Sequence, residues 1–168
     1  MIHVCPLSKL HETVINTGAL HIVTMLRHAD RMQRPRHIPA RNHLVLSMDD
    51  ISESMDGYVA PSEEHIKQLV QFLDSWDRQK PLVMHCLAGI SRSTAGAFVV
   101  ACALNPDRSE ADIAKAIRDA SPTAAPNKMF VKHADAVLGR QNRMVEAVEA
   151  LGDPQPAIEG VPFLLTLE

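Results

Sequence analysis

Cysteine is scarce in this 168-residue chain, which carries only Cys5, Cys86 and Cys102. Three residues so widely spaced make no disulfide framework, and no two of them show the CxxC spacing of a zinc site, so they read as reduced thiols. Long apolar runs are missing as well. No stretch approaches the roughly 20 residues of a membrane helix, and the N-terminus lacks the basic-then-apolar order of a signal peptide. The expectation is a soluble, cytoplasmic protein without a membrane partner. Positive charge is not in excess either: the formal net charge is −3 and the pI about 6.3. Without a global basic field, no nucleic acid partner is expected, and any anion site must be local. The nine histidines are scattered, with no metal-ligand spacing. There is no internal repeat and no low-complexity segment.

What is present is enough apolar content, 46%, for one sizeable core. A single domain over residues 1–151 is expected, followed by a proline-containing tail over 152–168 that packs as an irregular strap or lies loose. Ile2-His3-Val4 reads as a short strand. Ser8 then caps a helix running toward Asn16, with Gly18 as its stop. His21 to Leu26 reads as a buried strand, and Arg27 to Arg41, with five arginines and two prolines, as a surface loop. His43 to Leu46 is a further strand. Ser62 caps the clearest amphipathic helix, marked by Ile66, Leu69, Val70, Leu73 and Trp76. Leu82 to His85 is an apolar strand that enters a glycine-containing turn and then an alanine-rich helix from Ser93. Ser109 opens another helix, and Asn127 to Leu151 keeps helical spacing with Gly139 as a break. Strands alternating with helices predict an α/β fold, a mostly parallel central sheet flanked by helices, with a helical cluster at the C-terminal end.

The informative segment is His85-Cys86-Leu87-Ala88-Gly89-Ile90-Ser91-Arg92-Ser93, set between a buried strand and a helix start. At such a junction strand ends and helix N-termini face one crevice, and a loop that turns its N–H groups inward makes a nest for an oxyanion. Gly89 permits the curl. A cysteine at the base of the nest is expected to have its thiol pKa lowered below the free value. Arg92 can close over the same centre with a bidentate grip that lysine does not match.

This HCxxGxxRS segment resembles the signature loop of the protein tyrosine phosphatase superfamily, most closely its dual-specificity and bacterial branches. The resemblance implies a cysteine-dependent phosphomonoester hydrolase, a tyrosine or dual-specificity phosphatase. Cys86 would be the nucleophile that forms a phosphocysteine, Arg92 the clamp and Ser93 the donor to the leaving thiolate. The backbone of Leu87, Ala88, Gly89, Ile90, Ser91 and Arg92 would hold the phosphate. His85 would orient the loop and help to depress the thiol pKa. No metal and no cofactor are implied, and the substrate would be a phosphorylated protein or a small phosphomonoester; the oligomeric state is not addressed. Two departures matter. There is no Trp-Pro-Asp triplet, and the loop lacks the lysines of lipid phosphatases, which disfavours a multi-anionic headgroup.

Such an enzyme uses an aspartate as general acid, which the resemblance places some thirty-odd residues before the cysteine. Asp49, Asp50 and Asp56 are the candidates. Asp50 ranks first because it leaves the strand that ends near Met48, on the sheet edge that carries the Cys86 loop. Asp49 can turn back into the fold, and Asp56, beside Gly57, can be a solvated turn residue. A phosphate-binding module without turnover and a rhodanese-like sulfurtransferase are the competing readings; Arg92-Ser93 argues against the second. Cys102 reads as core. A regulatory disulfide between Cys5 and Cys86 stays open, because sequence alone does not set the distance between two sulfurs.

Overall fold

β-branched and apolar runs that are buried on both faces build the centre of the protein. The computed structural model describes residues 1–167. Strands β1 (Ile2–Pro6), β2 (His21–Met25), β3 (His43–Leu46) and β4 (Leu82–Cys86) are mutually parallel where they pair, and β5 (Phe163–Leu165) runs antiparallel to β1. The order across the sheet is β3-β2-β4-β1-β5. β4 is therefore central and every one of its residues is buried, as a parallel strand covered by helices on both faces requires.

One face is covered by α1 (Leu10–Thr17), whose Leu10 and Val14 pack with Cys5, Ile22 and Val83. The other face carries α2 (Glu63–Leu73) and α3 (Arg92–Leu104), followed by α4 (Glu110–Ala120), α5 (Lys128–Val137) and α6 (Arg143–Glu149). α3 is buried almost all round, from Arg92 to Cys102, which explains why small residues rather than an amphipathic stripe fill it. Ser62 caps α2 reciprocally with His65, and Ser109 and Asn127 cap α4 and α5 through their side chains. Glu110, buried under α6, is held by Arg140 and Arg143.

The structure differs from the sequence reading in three places. Ser8 does not cap α1: residues 7–9 form a short 3-10 turn, the N-cap position falls on Lys9, and the Ser8 hydroxyl donates instead to Glu159 Oε1 at 2.8 Å. Trp76 lies beyond the end of α2, buried, its indole N–H on the Lys80 carbonyl at 2.7 Å. The tail is neither loose nor irregular throughout. Arg118 donates to the carbonyls of Leu151, Gly152 and Asp153, and Phe163 and Leu165 are buried in the edge strand.

Because four strands run the same way, their C-terminal ends share one edge of the sheet. The turn after β1, the arginine-rich loop after β2, the loop after β3 and the loop after β4 therefore all emerge together.

Candidate active site

β4 delivers Cys86 to that edge and α3 begins at Arg92, so residues 87–91 must turn the chain within five residues. Four of their carbonyls are tied outward. Leu87 O accepts from Leu7 N at 3.1 Å, Ala88 O from Gly160 N at 2.8 Å, Ile90 O from Ala125 N at 2.9 Å, and Ser91 O from Asn127 N at 3.2 Å. Thr94, buried in the first turn of α3, donates its hydroxyl to the Ile90 and Ser91 carbonyls as well. No peptide bond is cis, and in a trans peptide the carbonyl and the following N–H point opposite ways. The N–H groups of Ala88, Gly89, Ser91 and Arg92 are consequently turned into the loop, and Gly89 N indeed donates to Cys86 Sγ at 3.3 Å. This is a concave nest at a helix N-terminus, the arrangement that holds tetrahedral anions.

Gly89 sits at φ +71, and a Cβ there would lie 2.6 Å from Pro6 N and 2.9 Å from Cys5 C. Two requirements thus coincide: a left-handed backbone and direct contact with the end of β1. Gly160 braces the other side, where an added Cβ would come within 3.0 Å of Gly89 O. The tail residue was invisible to sequence reasoning, since one glycine among prolines carries no signal of what it will touch.

At the floor of the nest, Cys86 Sγ also lies 3.2 Å from Ser93 Oγ. Hydroxyl and amide are the donors a sulfur anion accepts, and both come from the loop or the first turn of α3. Arg92 is buried. Its Nη1 donates to Met48 O at 2.9 Å, while Nε has no hydrogen-bond partner and lies 3.9 Å from Asp50 Oδ2. Met48 precedes the acid candidates, so the carbonyl that steadies the guanidinium also fixes where their loop begins.

The three aspartates have separate fates. Asp50 Oδ1 accepts from Ser91 Oγ at 2.7 Å and from Asn127 Nδ2 at 2.9 Å, so the carboxylate stands at the mouth of the nest beside Arg92. Asn127 also reaches Ile51 O at 3.1 Å and caps α5 through Phe130 N at 2.9 Å. It thereby joins three elements, a role its place at a helix start only partly announces. Asp49 is a staple: it pairs with Val59 through its backbone N–H at 2.8 Å and its Oδ2 at 2.7 Å, closing the base of the loop. Asp56 is exposed within that loop.

His85 lies wholly buried behind the nest with its pKa pushed down to about 4; burial is the largest cause, and the Cys86 backbone pulls the other way. The ring is neutral at physiological pH, so whatever it does for Cys86 it does as a hydrogen-bonding group and not as a cation. Burial pushes the Cys5 thiol up to about 11 and the Cys102 thiol up to about 12. Cys5 packs in the cluster under α1, whereas Cys86 belongs to the cluster on the opposite face. A disulfide between them would have to cross the sheet, which the alternation of neighbouring side chains opposes.

The sequence model of the Tc-R-P family, described as a polymorphic toxin system DSP-PTPase phosphatase, matches residues 9–107. No curated protein matches the chain. Among solved structures, DUSP15 is similar at 18% identity over 89% of each chain with a TM-score of 0.66. The human tyrosine phosphatase-like serine/threonine/tyrosine-interacting protein is similar at 16% identity over 83% of this chain and 92% of its own, with a TM-score of 0.66. PTP-2 phosphatase of Cydia pomonella is similar at 16% identity over 80% of this chain and 84% of its own, with a TM-score of 0.64. At these identities the likeness to solved structures is one of fold.

Proposed function

The chain belongs to the DSP-PTPase phosphatase family of polymorphic toxin systems, and on that premise we propose how its residues divide the work. It is a tyrosine or dual-specificity phosphatase and acts on phosphorylated substrates. In the first step the Cys86 thiolate attacks phosphorus, the bond from phosphorus to the ester oxygen breaks, and Asp50 gives its proton to the departing alcohol or phenol. In the second, the Asp50 carboxylate takes a proton from water, the water oxygen attacks phosphorus, and the sulfur–phosphorus bond breaks. Inorganic phosphate leaves, while Ser93 donates to the released thiolate. Throughout, the inward N–H groups and the Arg92 fork hold the non-bridging oxygens, where charge gathers in the transition state.

The observation that supports this division most is the tie between Ser91 and Asp50. The loop that forms the anion nest holds a carboxylate from 41 residues earlier, 2.7 Å from its own hydroxyl. A binding module would have no use for a carboxylate beside a phosphate site, since it repels the ligand; a hydrolase needs one. The preferred substrate is a phosphoprotein, with phosphotyrosine turned over fastest and phosphoserine and phosphothreonine accepted. An open cleft beside the nest, lined by Asp50, Ile51, Ser91, Asn127 and Lys128, supports this by leaving room for the chain on either side of the phosphorylated residue. The reaction needs Cys86 as a free thiol, so its site of action is a reducing compartment, the cytoplasm.

The test is turnover of p-nitrophenyl phosphate and of matched phosphotyrosine and phosphoserine peptides, with thiosulfate sulfurtransfer in parallel. Phosphate release from the tyrosine peptide, and less from the serine peptide, is expected. Sulfurtransfer without phosphate release would overturn the assignment.

A further inference from the structure

β5 runs antiparallel to β1, with Phe163 opposite Val4, so the residues ahead of Phe163 arrive at the C-terminal end of β1, on the edge that carries the nest. Gly160, buried, donates its N–H there to Ala88 O at 2.8 Å. Its neighbour Glu159 accepts at Oε1 from the Ser8 hydroxyl at 2.8 Å. Ser8 in turn follows Leu7, whose N–H holds the adjacent carbonyl, that of Leu87, at 3.1 Å. The tail is anchored on both sides of this stretch: Gln155 N donates to Pro122 O at 2.9 Å, and Phe163 and Leu165 are buried. We propose that Gly160 is a positioning residue for the nucleophile, its N–H setting the one peptide unit that presents an N–H to Cys86, and that Ser8 and Glu159 clasp this brace to the one on Leu87. Ser8, Glu159 and Gly160 all lie outside residues 9–107, which match the family model, so the brace is an addition to the matched segment.

The link runs through a single trans peptide. The carbonyl of Ala88 and the N–H of Gly89 belong to that unit and point opposite ways, and Gly89 N donates to Cys86 Sγ at 3.3 Å. Whatever holds the carbonyl therefore aims the N–H. A donor on the carbonyl also polarises the unit and strengthens its N–H, because hydrogen bonds in series reinforce one another. The brace has to be glycine. A Cβ at position 160 would stand 3.0 Å from Gly89 O and 3.4 Å from both Ala88 O and Ile90 Cγ1, so a side chain would hold the tail backbone away from the loop. Ser8 and Glu159 complete the arrangement. Their hydrogen bond joins the turn after β1 to the tail, so the two segments that hold the Leu87 and Ala88 carbonyls keep a fixed spacing.

This inference rests on Cys86 being the nucleophile, and the two fail separately. Replacing the Gly160 amide by an ester, through nonsense suppression with glycolic acid, removes the N–H and keeps the shape of the chain. On p-nitrophenyl phosphate, kcat should fall by about tenfold or more with KM changed by less than about threefold, as displacement at a reacting centre does. Iodoacetate should label Cys86 more slowly at neutral pH, yet at the wild-type rate at alkaline pH, where the thiolate forms unaided. A brace that only stabilised the fold would leave both rates alone. Gly160→Ala should lower kcat in the same way. Ser8→Ala and Glu159→Ala should each lower it by about two- to fivefold, and the double variant no further than the worse single one, because both break one hydrogen bond. Ile158→Ala is the control: its side chain is 98% exposed, and the variant should match wild type. Wild-type kcat and labelling in the ester enzyme, or losses at Ser8 and Glu159 that multiply, would overturn the proposal and leave Cys86 in its role. Turnover that survives Cys86→Ser would overturn the nucleophile and this proposal with it. If Gly160→Ala does not fold, the ester and Glu159→Ala enzymes still decide it.

Discussion

Substituting Gly89 by alanine isolates the geometry of the nest from its chemistry, since no reacting group changes. Two costs add. A non-glycine residue at φ +71 carries about 1–2 kcal/mol of left-handed strain. The new Cβ would also stand 2.6 Å from Pro6 N, about 0.8 Å inside the 3.4 Å at which ordinary contact begins. The atom it meets is backbone, fixed by the pairing of Pro6 with Cys86, so the loop must move instead. A shift of that size loosens the Leu7 N to Leu87 O bond and carries the inward N–H groups off centre. Displacement of about 1 Å at a reacting centre costs on the order of 100-fold in rate. Gly139→Ala is the matched control. Its φ is +63, but nothing lies within 4 Å of an added Cβ, so it bears the strain without the collision. Turnover of p-nitrophenyl phosphate and thermal unfolding should be measured for both. Gly139→Ala should lower Tm by about 2–8 °C, from about 1–2 kcal/mol in a domain of this size, with kcat unchanged. Gly89→Ala should lower Tm further and kcat by about 100-fold. A Gly89→Ala enzyme with wild-type kcat would show that the nest tolerates displacement and that the reasoning is wrong.

Asp50→Asn should slow hydrolysis of phosphotyrosine by about 100-fold or more, and a substrate with a far more acidic leaving alcohol much less, because only the former depends on a proton donor. Asp56→Asn should behave like wild type, and Asp49→Asn should lower Tm more than kcat; a leaving-group-dependent loss at Asp56 would relocate the acid. Iodoacetate at neutral pH should label Cys86 alone, with inorganic phosphate protecting, because burial holds the Cys5 and Cys102 thiols up near 11 and 12; peptide mapping that finds label on either of those would contradict this. Acid should destabilise the fold through His85. Its pKa is about 4 folded against about 6.5 unfolded, so the unfolded chain binds the proton first, and stability falls by about 3 kcal/mol as the pH drops from 7 to 4. An NMR titration in which the His85 ring shows a midpoint near 6.5 would contradict this.

The strands, the helix caps and the nest were legible because each rests on local chemistry. Val, Ile and Leu at β2 and β4, Ser62, Ser109 and Asn127 ahead of their helices, and the glycine and arginine spacing after Cys86 all act within a few residues. Asp50 was legible for a topological reason: parallel strands end on one edge, so the residue that leaves β3 arrives near the residue that leaves β4. What was not legible depends on contacts between distant segments. Gly160 braces Ala88 from the far end of the chain, and Ser8, a good helix cap by type, turns to Glu159 instead. Thr24 looked like any β-branched strand residue until the pairing of β2 with β4 set it against His85. The expectation that His85 assists the thiol is likewise sharpened by burial, which no motif encodes and which keeps the ring uncharged.

The central claim is that phosphorus passes through a covalent bond to Cys86. Rapid acid quench of the Asp50→Asn enzyme with an excess of p-nitrophenyl phosphate, followed by intact mass and peptide mapping, reads that bond directly, since the variant slows the proton removal that releases it. One phosphoryl group per chain on the peptide containing Cys86, absent when Cys86→Ser is added, is the predicted result. Turnover with no phosphoenzyme, or a phosphoryl group on another residue, would contradict the account.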